Sequence, residues 1–474
     1  MRRPVLLATL LCAAAAACAH APSAPSPGGG PHPSDAAFLD TLERRTFAFF
    51  WETADPGTRL VPDRWPTPSF SSVAAVGFGL TALPVGAERG YVSRGEAAQR
   101  ALETLRWLWR APQGPAATGM AGYRGFFYHF LDMHTGERFK DVELSSVDTS
   151  LLLAGVLTCR EYFDRGDAGE TEIRALADSL YRRVDWTFML ARPPLISMGW
   201  TPEHGLHDYD WRGYDEAMLV YVLALGSPTH PVAPEAWKAW TETYKWGGDA
   251  GNEHVGFAPL FGHQYSQLWI DFRGIRDEYM RARGIDYFEN SRRATLAQRA
   301  YAIANPGGWA GYSADVWGLS ASDGPVDADY VIAGKPRHFM TYAARGADFT
   351  EVRDDGTLAA TAAGGSLPFA PEIALPALRE MRRRWGDHVF GRYGFVDAFN
   401  PTLTDPSLRV ATGSIVPGVG WFDVDYLGID QGPILGMTEN YRSGLVWSLM
   451  RKNPYVVAGL KRAGFTGGWL DAAR

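Results

Sequence analysis

Two kinds of helical segment alternate along this chain, and that alternation constrains its fold more than any other feature. One kind is amphipathic and charged: residues 35–54, 94–110, 170–187, 234–244, 286–304 and 370–385. In 94–110, for example, Ala97, Ala98, Ala101, Leu102, Leu105 and Leu108 form one stripe while Arg and Glu fill the other, so such a helix keeps one face in water. The other kind is apolar nearly all round: residues 72–83, 145–157, 213–225 and 431–449, with 264–275 a weaker member. A helix apolar on every side has to be surrounded by other helices. About six outer–inner pairs result, with the fifth inner helix near 314–321 or 357–364. Inner and outer helices joined antiparallel describe a mainly all-α, double-ringed toroid of helical hairpins. An α-solenoid would carry a repeated sequence period, and none is visible. Gly/Trp/Tyr-rich segments at 120–133, 196–209 and 410–425 are expected to supply short strands and loops.

The helices begin only after an export-like leader. Arg2 and Arg3 precede an apolar run from Val5 to Ala17, 13 residues long, whereas a membrane span needs roughly 20. The pattern is that of a signal peptide. Its end, Ala15-Ala16-Ala17-Cys18, resembles a lipoprotein cleavage box and makes Cys18 the candidate lipid-attachment residue; the alternative is an ordinary signal cleaved near Ala19-His20-Ala21. Residues 1–18 thus read as signal and 19–34 as a flexible Pro/Ser/Gly tether. Residues 35–474 show no second linker and read as one domain. The expectation is an exported protein, periplasmic or outer-membrane, touching the membrane only through that anchor and acting as a monomer.

Net charge is −7 with no basic run, which disfavours nucleic acid as a partner. Of three cysteines, two lie within the first 18 residues; Cys159 alone remains, so no internal disulfide framework exists. Aromatic residues make up 13% of the chain, 17 of them Trp. Their faces suit the C–H faces of sugars as well as a large core.

In a toroid of this kind the inner helices run in one direction, so their N-termini gather at one mouth. Ser145-Ser146-Val147-Asp148 opens one such helix, with Glu143 just before it. Tyr214-Asp215-Glu216 opens another, His263-Gln264-Tyr265 a third, and Gly428-Ile429-Asp430-Gln431 the last. Singly, these acids also fit helix caps or first-turn acids. Together they stand among Phe139, Tyr209, Trp211, Tyr214, Trp421, Phe422 and Tyr426, and acids at buried helix starts beside aromatic loops make a sugar cleft. Glycosidic cleavage generally needs one protonated carboxyl at the leaving oxygen and one carboxylate to activate water or attack the sugar. Glu216, on the most apolar of these helices, suits the acid. Asp430, facing helix amides after a Gly turn, is expected to stay ionised and suits the base. Glu143, Asp148, Tyr209, Trp211, Tyr214, His263, Gln264, Trp421 and Tyr426 are the candidate substrate contacts.

No metal or cofactor motif competes. HExxH, G-x-S-x-G, P-loop and dinucleotide fingerprints are absent from the sequence. The nearest approach to a ligand set, His204, His207, Asp208 and Asp210, matches no standard spacing.

Four of these stretches also carry a family resemblance: Trp-Arg-Gly-Tyr-Asp-Glu-Ala-Met (211–218), Ala-Leu-Gly-Ser-Pro-Thr-His-Pro (224–231), Glu-Leu-Ser-Ser-Val-Asp-Thr (143–149) and Gly-Ile-Asp-Gln-Gly-Pro (428–433). They resemble the glycoamylase-like domain, which includes glycoside hydrolase family 144, the bacterial endo-β-1,2-glucanases, and the match runs from Asp35 to the C-terminus. The resemblance implies an (α/α)6 toroid and inverting, metal-free hydrolysis of β-1,2-glucan. It puts Glu216 at the general acid and Asp430 at the general base, with Glu143 and Asp148 in another acidic motif of the cleft. Asp215 departs from the Asn expected before the glutamate. Exo-acting, sophorose-releasing enzymes and cyclic-glucan transglycosylases share the resemblance. Two other classes are weighed against it: a polysaccharide lyase, which would want Arg/Lys-rich walls, and a non-catalytic glycan-binding lipoprotein.

Overall fold

A computed structural model describes residues 33–473; Cys18, the signal segment and most of the tether lie outside that range. Twelve helices alternate as outer and inner members of two concentric rings. The outer ones are α1 (Pro33–Glu52), α3 (Arg94–Arg110), α5 (Ala168–Arg182), α7 (Glu235–Thr241), α10 (Tyr287–Ala304) and α12 (Pro371–Trp385). The inner ones are α2 (Val73–Glu88), α4 (Ser146–Tyr162), α6 (Met218–Gly226), α8 (Phe261–Trp269), α11 (Ala360–Gly364) and α13 (Gly428–Arg442). Short helices α9 (Glu278–Arg283), α14 (Leu445–Met450), α15 (Pro454–Arg462) and α16 (Gly468–Ala472) fill the rim. The (α/α)6 toroid expected from the alternation is therefore the observed architecture. The fifth inner helix is the 357–364 candidate; residues 314–321 form loop and the start of a strand.

Packing explains the ring. Helices α2 and α4 cross closely because both carry glycine there: a Cβ on Gly77 would stand 2.3 Å from Leu151 O, and one on Gly155 2.0 Å from Gly77 O. Outer helix α7 is only seven residues long, so α15 covers the rest of α6; Gly459 and Gly226 allow backbone contact with Val222 and Tyr455.

Three inner segments differ from expectation in extent. The 213–225 helix starts only at Met218, because Asp215 Oδ1 accepts the Ala217 N–H and Gly213 adopts φ +91. The 264–275 segment ends at Trp269. The 431–449 segment is two helices, broken at Gly444, whose φ is +72.

Four inner helices are each entered from a two-residue strand at the mouth. Ser71–Ser72 pairs with Phe130–Leu131, Leu144–Ser145 with Gly199–Thr201, Leu358–Ala359 with Ala398–Asn400, and Tyr426–Leu427 with Arg64–Trp65. The loops expected at 120–133, 196–209 and 410–425 do carry short strands. These sheets aim loop side chains across the mouth, where the acids lie.

Candidate active site

A cleft of about 410 Å³ opens at the N-terminal ends of the inner helices. Glu143, Asp148 and Glu216 line it, with Phe70, Phe130, Trp211, Phe261, Tyr265 and Tyr342 as its aromatic walls. Asp430 is not part of the lining; it follows Ile429, which lines the cleft, and is 3% exposed. A wider surface groove of about 1040 Å³ between α1 and α12 is lined by ion-paired charges such as Arg379–Asp35 and Arg383–Glu380.

The α4 wall is charge-balanced. Ser145 caps α4: its Oγ accepts the Asp148 N–H at 3.1 Å and donates to Asp148 Oδ2 at 2.5 Å. His129 bridges two acids, with Nδ1 2.9 Å from Glu143 Oε1 and Nε2 3.5 Å from Asp148 Oδ2, and its ring stacks on Phe130. Burial alone would strip its proton, but the Asp148 charge, the Glu143 bond and Asp63 outweigh it and lift the imidazole to about 9. The same contact holds Glu143 below its usual range against burial. His129 is thus a cation at neutral pH.

Glu216 sits in the turn before α6, its carbonyl held by Ser266 Oγ at 2.8 Å. Burial, with the Asp148 charge added, pushes it up to about 7. Its neighbour Asp215 is raised well above the carboxylate range, by burial first and then by the Glu216 charge. Tyr265 lines the cleft and donates to Ile429 O at 3.1 Å; burial, then the charges of Asp430, Tyr342, Glu216 and Asp148, raise its phenol well above the usual range.

The α13 wall is overloaded with acid. Asp63, Asp323, Asp397, Asp423, Asp425 and Asp430 are all buried. Arg64 reaches Asp323 Oδ2 at 2.5 Å, Asp63 Oδ2 at 3.2 Å and Asp425 Oδ2 at 4.0 Å. Burial raises Asp323, with Arg64 opposing. Burial and then Asp397, Asp323 and Asp425 push Asp423 to about 8. Asp430 was expected to stay ionised; instead burial, with Asp323 and Asp63, lifts it to about 7, against a hydrogen bond from Asp397 and the Arg64 charge. Asp323, Asp423 and Asp425 each bring an oxygen within 4.8 Å of the others, and Arg64 already stands among them. His204, His207, Asp208 and Asp210 do not converge; Asp210 is taken by Arg192 at 2.6 Å.

Six of the expected substrate contacts stand away from the cleft wall. Tyr209 is 72% exposed on its loop. Tyr214 is buried among Trp240, Tyr244 and Tyr287. His263 donates from Nε2 to Phe257 O at 3.1 Å, and burial pushes it down to about 3, so it is a neutral core histidine. Gln264 ties α8 to α11 through Ala362 O and Ser366. Trp421 is fully buried and bonds Thr412 O, and Tyr426 packs edge-on to Tyr393. Helix starts point alternate side chains into the core as well as the mouth, which accounts for Tyr214, His263 and Gln264; Tyr209, Trp421 and Tyr426 lie on loops and strands, where composition does not say which way a ring faces. Conversely Asp63, Arg64, His129, Asp323, Asp397 and Tyr342 were not singled out. Only the Asp423-Val424-Asp425 run between Phe422 and Tyr426 offered a local signal, an acidic pair inside an aromatic loop just before Asp430.

The sequence model of a family described as "Putative glucoamylase" matches residues 208–454. The chain is 30% identical over 463 residues to an exo beta-1,2-glucooligosaccharide sophorohydrolase (non-reducing end) of Parabacteroides distasonis, covering 90% of this chain and 58% of that protein. It therefore spans less than two thirds of the curated relative it matches. A crystal structure of a "putative glucoamylase" from Bacteroides uniformis superposes with a TM-score of 0.78 at 31% identity, covering 93% of this chain and 99% of that one. An endo-beta-1,2-glucanase from Chitinophaga pinensis, in complex with sophorotriose and glucose, gives 0.76 at 29% identity, covering 92% and 100%.

Proposed function

This chain belongs to the glycoamylase family, and we propose on that premise that it is a glycoside hydrolase that cleaves β-1,2-linked glucan by an inverting, two-carboxylate mechanism. What supports the reading is that Glu216, in the turn before α6, lines the aromatic-walled mouth, and that Asp430, in the first turn of α13, directly follows Ile429, which lines it too. The resemblances to an endo-beta-1,2-glucanase and to an exo-acting sophorohydrolase support the linkage.

Glu216, held near 7 by burial and Asp148, keeps its proton for the leaving glycosidic oxygen. Asp430 takes a proton from water as that water's oxygen bonds the anomeric carbon. Phe70, Phe130 and Tyr342 offer faces to the sugar rings. The cationic His129 keeps Glu143 ionised to accept hydroxyl hydrogen bonds. No cofactor enters this scheme. The working state pairs a protonated Glu216 with an ionised Asp430, and both groups titrate near 7. A narrow bell in kcat/KM centred near neutrality is the expected profile of the free enzyme.

The test is sugar release from linear β-1,2-glucan by wild type, Glu216→Gln and Asp430→Asn. Undiminished turnover in either variant removes that residue from its role. A time course separates the two modes: mixed oligosaccharides early mark endo cleavage, sophorose alone marks exo release. Ultraviolet-absorbing unsaturated product would mark a lyase, and tight binding without turnover a glycan-binding protein. Export with lipid attachment at Cys18 is proposed from residues 1–18; Cys18→Ser should abolish labelling by palmitate and release the protein from membranes, and unchanged labelling would exclude that cysteine.

A further inference from the structure

Asp397 has no role in the scheme above, yet it is the most confined acid in the molecule's mouth. It lies between the hairpin strand Gly394–Phe395 and the strand Ala398–Asn400, and three bonds fix it. Its own N–H donates to Asp425 O at 2.9 Å. Its Oδ2 accepts the Asp323 N–H at 2.6 Å. Two residues earlier, Phe395 O accepts from Gln431 Nε2 at 2.8 Å, which ties this loop to the residue after Asp430. What remains is Oδ1, sealed from water and without a donor. On α13 the mirror situation holds: Asp430 Oδ2 is sealed and without a donor, and the two carboxyls are in hydrogen-bond contact.

Two bare carboxylate oxygens in that position would each be a buried, unsatisfied acceptor beside a like charge. One proton between them satisfies both. We propose that Asp397 is a positioning residue for Asp430: as the neutral acid, it donates from Oδ1 to Asp430 Oδ2 and leaves Asp430 Oδ1 for the attacking water. The inference rests on Asp430 being the base. Burial raises Asp397 most, then the charge of Asp430 and the bond between them, then Asp323, and no ion pair among the described residues includes it, so the proton sits on Asp397. Asp430 meets Asp63 and Asp323 but also the compensating charge of Arg64, with the phenols of Tyr265 and Tyr342 nearby. A buried acid held neutral so that it can donate a hydrogen bond is an established catalytic device. During turnover the water proton goes to Asp430 and the Glu216 proton to the leaving oxygen; the Asp397 proton stays where it is.

The experiment compares kcat and KM across pH for wild type, Asp397→Asn and Asp397→Ala on linear β-1,2-glucan. Alanine deletes a hydrogen bond to a charged group, so kcat should fall about 10- to 100-fold with KM changed less than about threefold. The acidic limb should move to higher pH, because the lost bond favoured ionised Asp430. Asparagine keeps a donor toward Asp430 and an acceptor for Asp323 N–H, and should recover most of kcat and return the limb toward the wild-type position. Alanine with a wild-type profile, or asparagine as inactive as Asp430→Asn, overturns the proposal. Infrared difference spectra, wild type minus Asp397→Asn at neutral pH, give a second readout independent of sugar release: a carboxylic-acid carbonyl band is expected. Its absence overturns the proposal even if the enzyme is active, whereas the band without any sugar release faults the functional reading instead. Asp397→Asn suffices for this if the alanine variant does not fold.

Discussion

The two walls of the cleft hold carboxylates out of water in opposite ways. On the α4 side, two acids share the imidazolium of His129, the N-cap Ser145 also bonds Asp148, and Glu143 is kept ionised. On the α13 side, six buried aspartates face Arg64 as the one guanidinium paired with them among the described residues, and the surplus is held as raised carboxyls. Compensated charge binds; uncompensated charge stores protons near neutrality. The proposed mechanism needs one carboxyl protonated and another ready to accept a proton, and Glu216 and Asp430, its proposed acid and base, both lie in the second kind of environment, each near 7.

Removing the proposed acid and base is the harshest test of that contrast. Glu216→Gln and Asp430→Asn should each lower kcat by about 10²- to 10⁴-fold, while His129→Gln, on the compensated wall, should act mainly on KM. A larger kcat loss from His129→Gln than from either would invert the assignment of the two walls.

Next comes Arg64. Replacing it by Gln leaves Asp323 and its neighbours as uncompensated buried acids and should cost about 3–5 kcal/mol in urea unfolding at pH 7. Lowering the pH should recover much of that loss by protonating them. Equal loss at pH 5 and 7 would show that Arg64 serves packing rather than charge.

His129 gives a smaller effect of known sign. Its folded value, about 9, lies above the ordinary 6.5, so its contribution is complete below pH 6.5 and disappears as pH rises through 9. Wild type should exceed His129→Gln by on the order of 2 kcal/mol at pH 6, a gap that closes by pH 10. A pH-independent gap would mean that the ring is neutral.

The smallest effect runs the other way. Glu216 is raised from 4.5 to about 7, so it favours the folded state at low pH and penalises it once ionised. Glu216→Gln should therefore be more stable than wild type at pH 8, by on the order of 1–2 kcal/mol, with the gain gone at pH 4. Thermal melts at the two pH values decide it.

How much of this was legible in the chain follows from what is local. Periodicity marks burial, so every outer helix and most inner ones were readable, and the acids Glu143, Asp148 and Glu216 stood beside a pattern that places them at helix starts. Glycines 213 and 444, which move two inner-helix boundaries, act through backbone angles that the apolar pattern does not encode. His129, Arg64 and Asp397 sit on strand edges and hairpins whose positions depend on pairing with residues up to hundreds away, as Arg64 with Leu427. The same helix-start logic that found the acids also collected Tyr214, His263 and Gln264, because a helix start presents side chains inward and outward alike and composition does not say which. Asp430 shows the converse limit: its place was readable, its ionisation was not, since that depends on Asp63, Asp323 and Asp397 arriving from other parts of the chain.

Proton NMR of the first sugars released from linear β-1,2-glucan, with wild type, Glu216→Gln and Asp430→Asn run in parallel, reads the stereochemistry and both carboxyls at once. Inversion gives the α-anomer as the first-formed reducing end in wild type, with almost no release by either variant. A first-formed β-anomer, or full-speed release by either variant, would contradict the proposed mechanism.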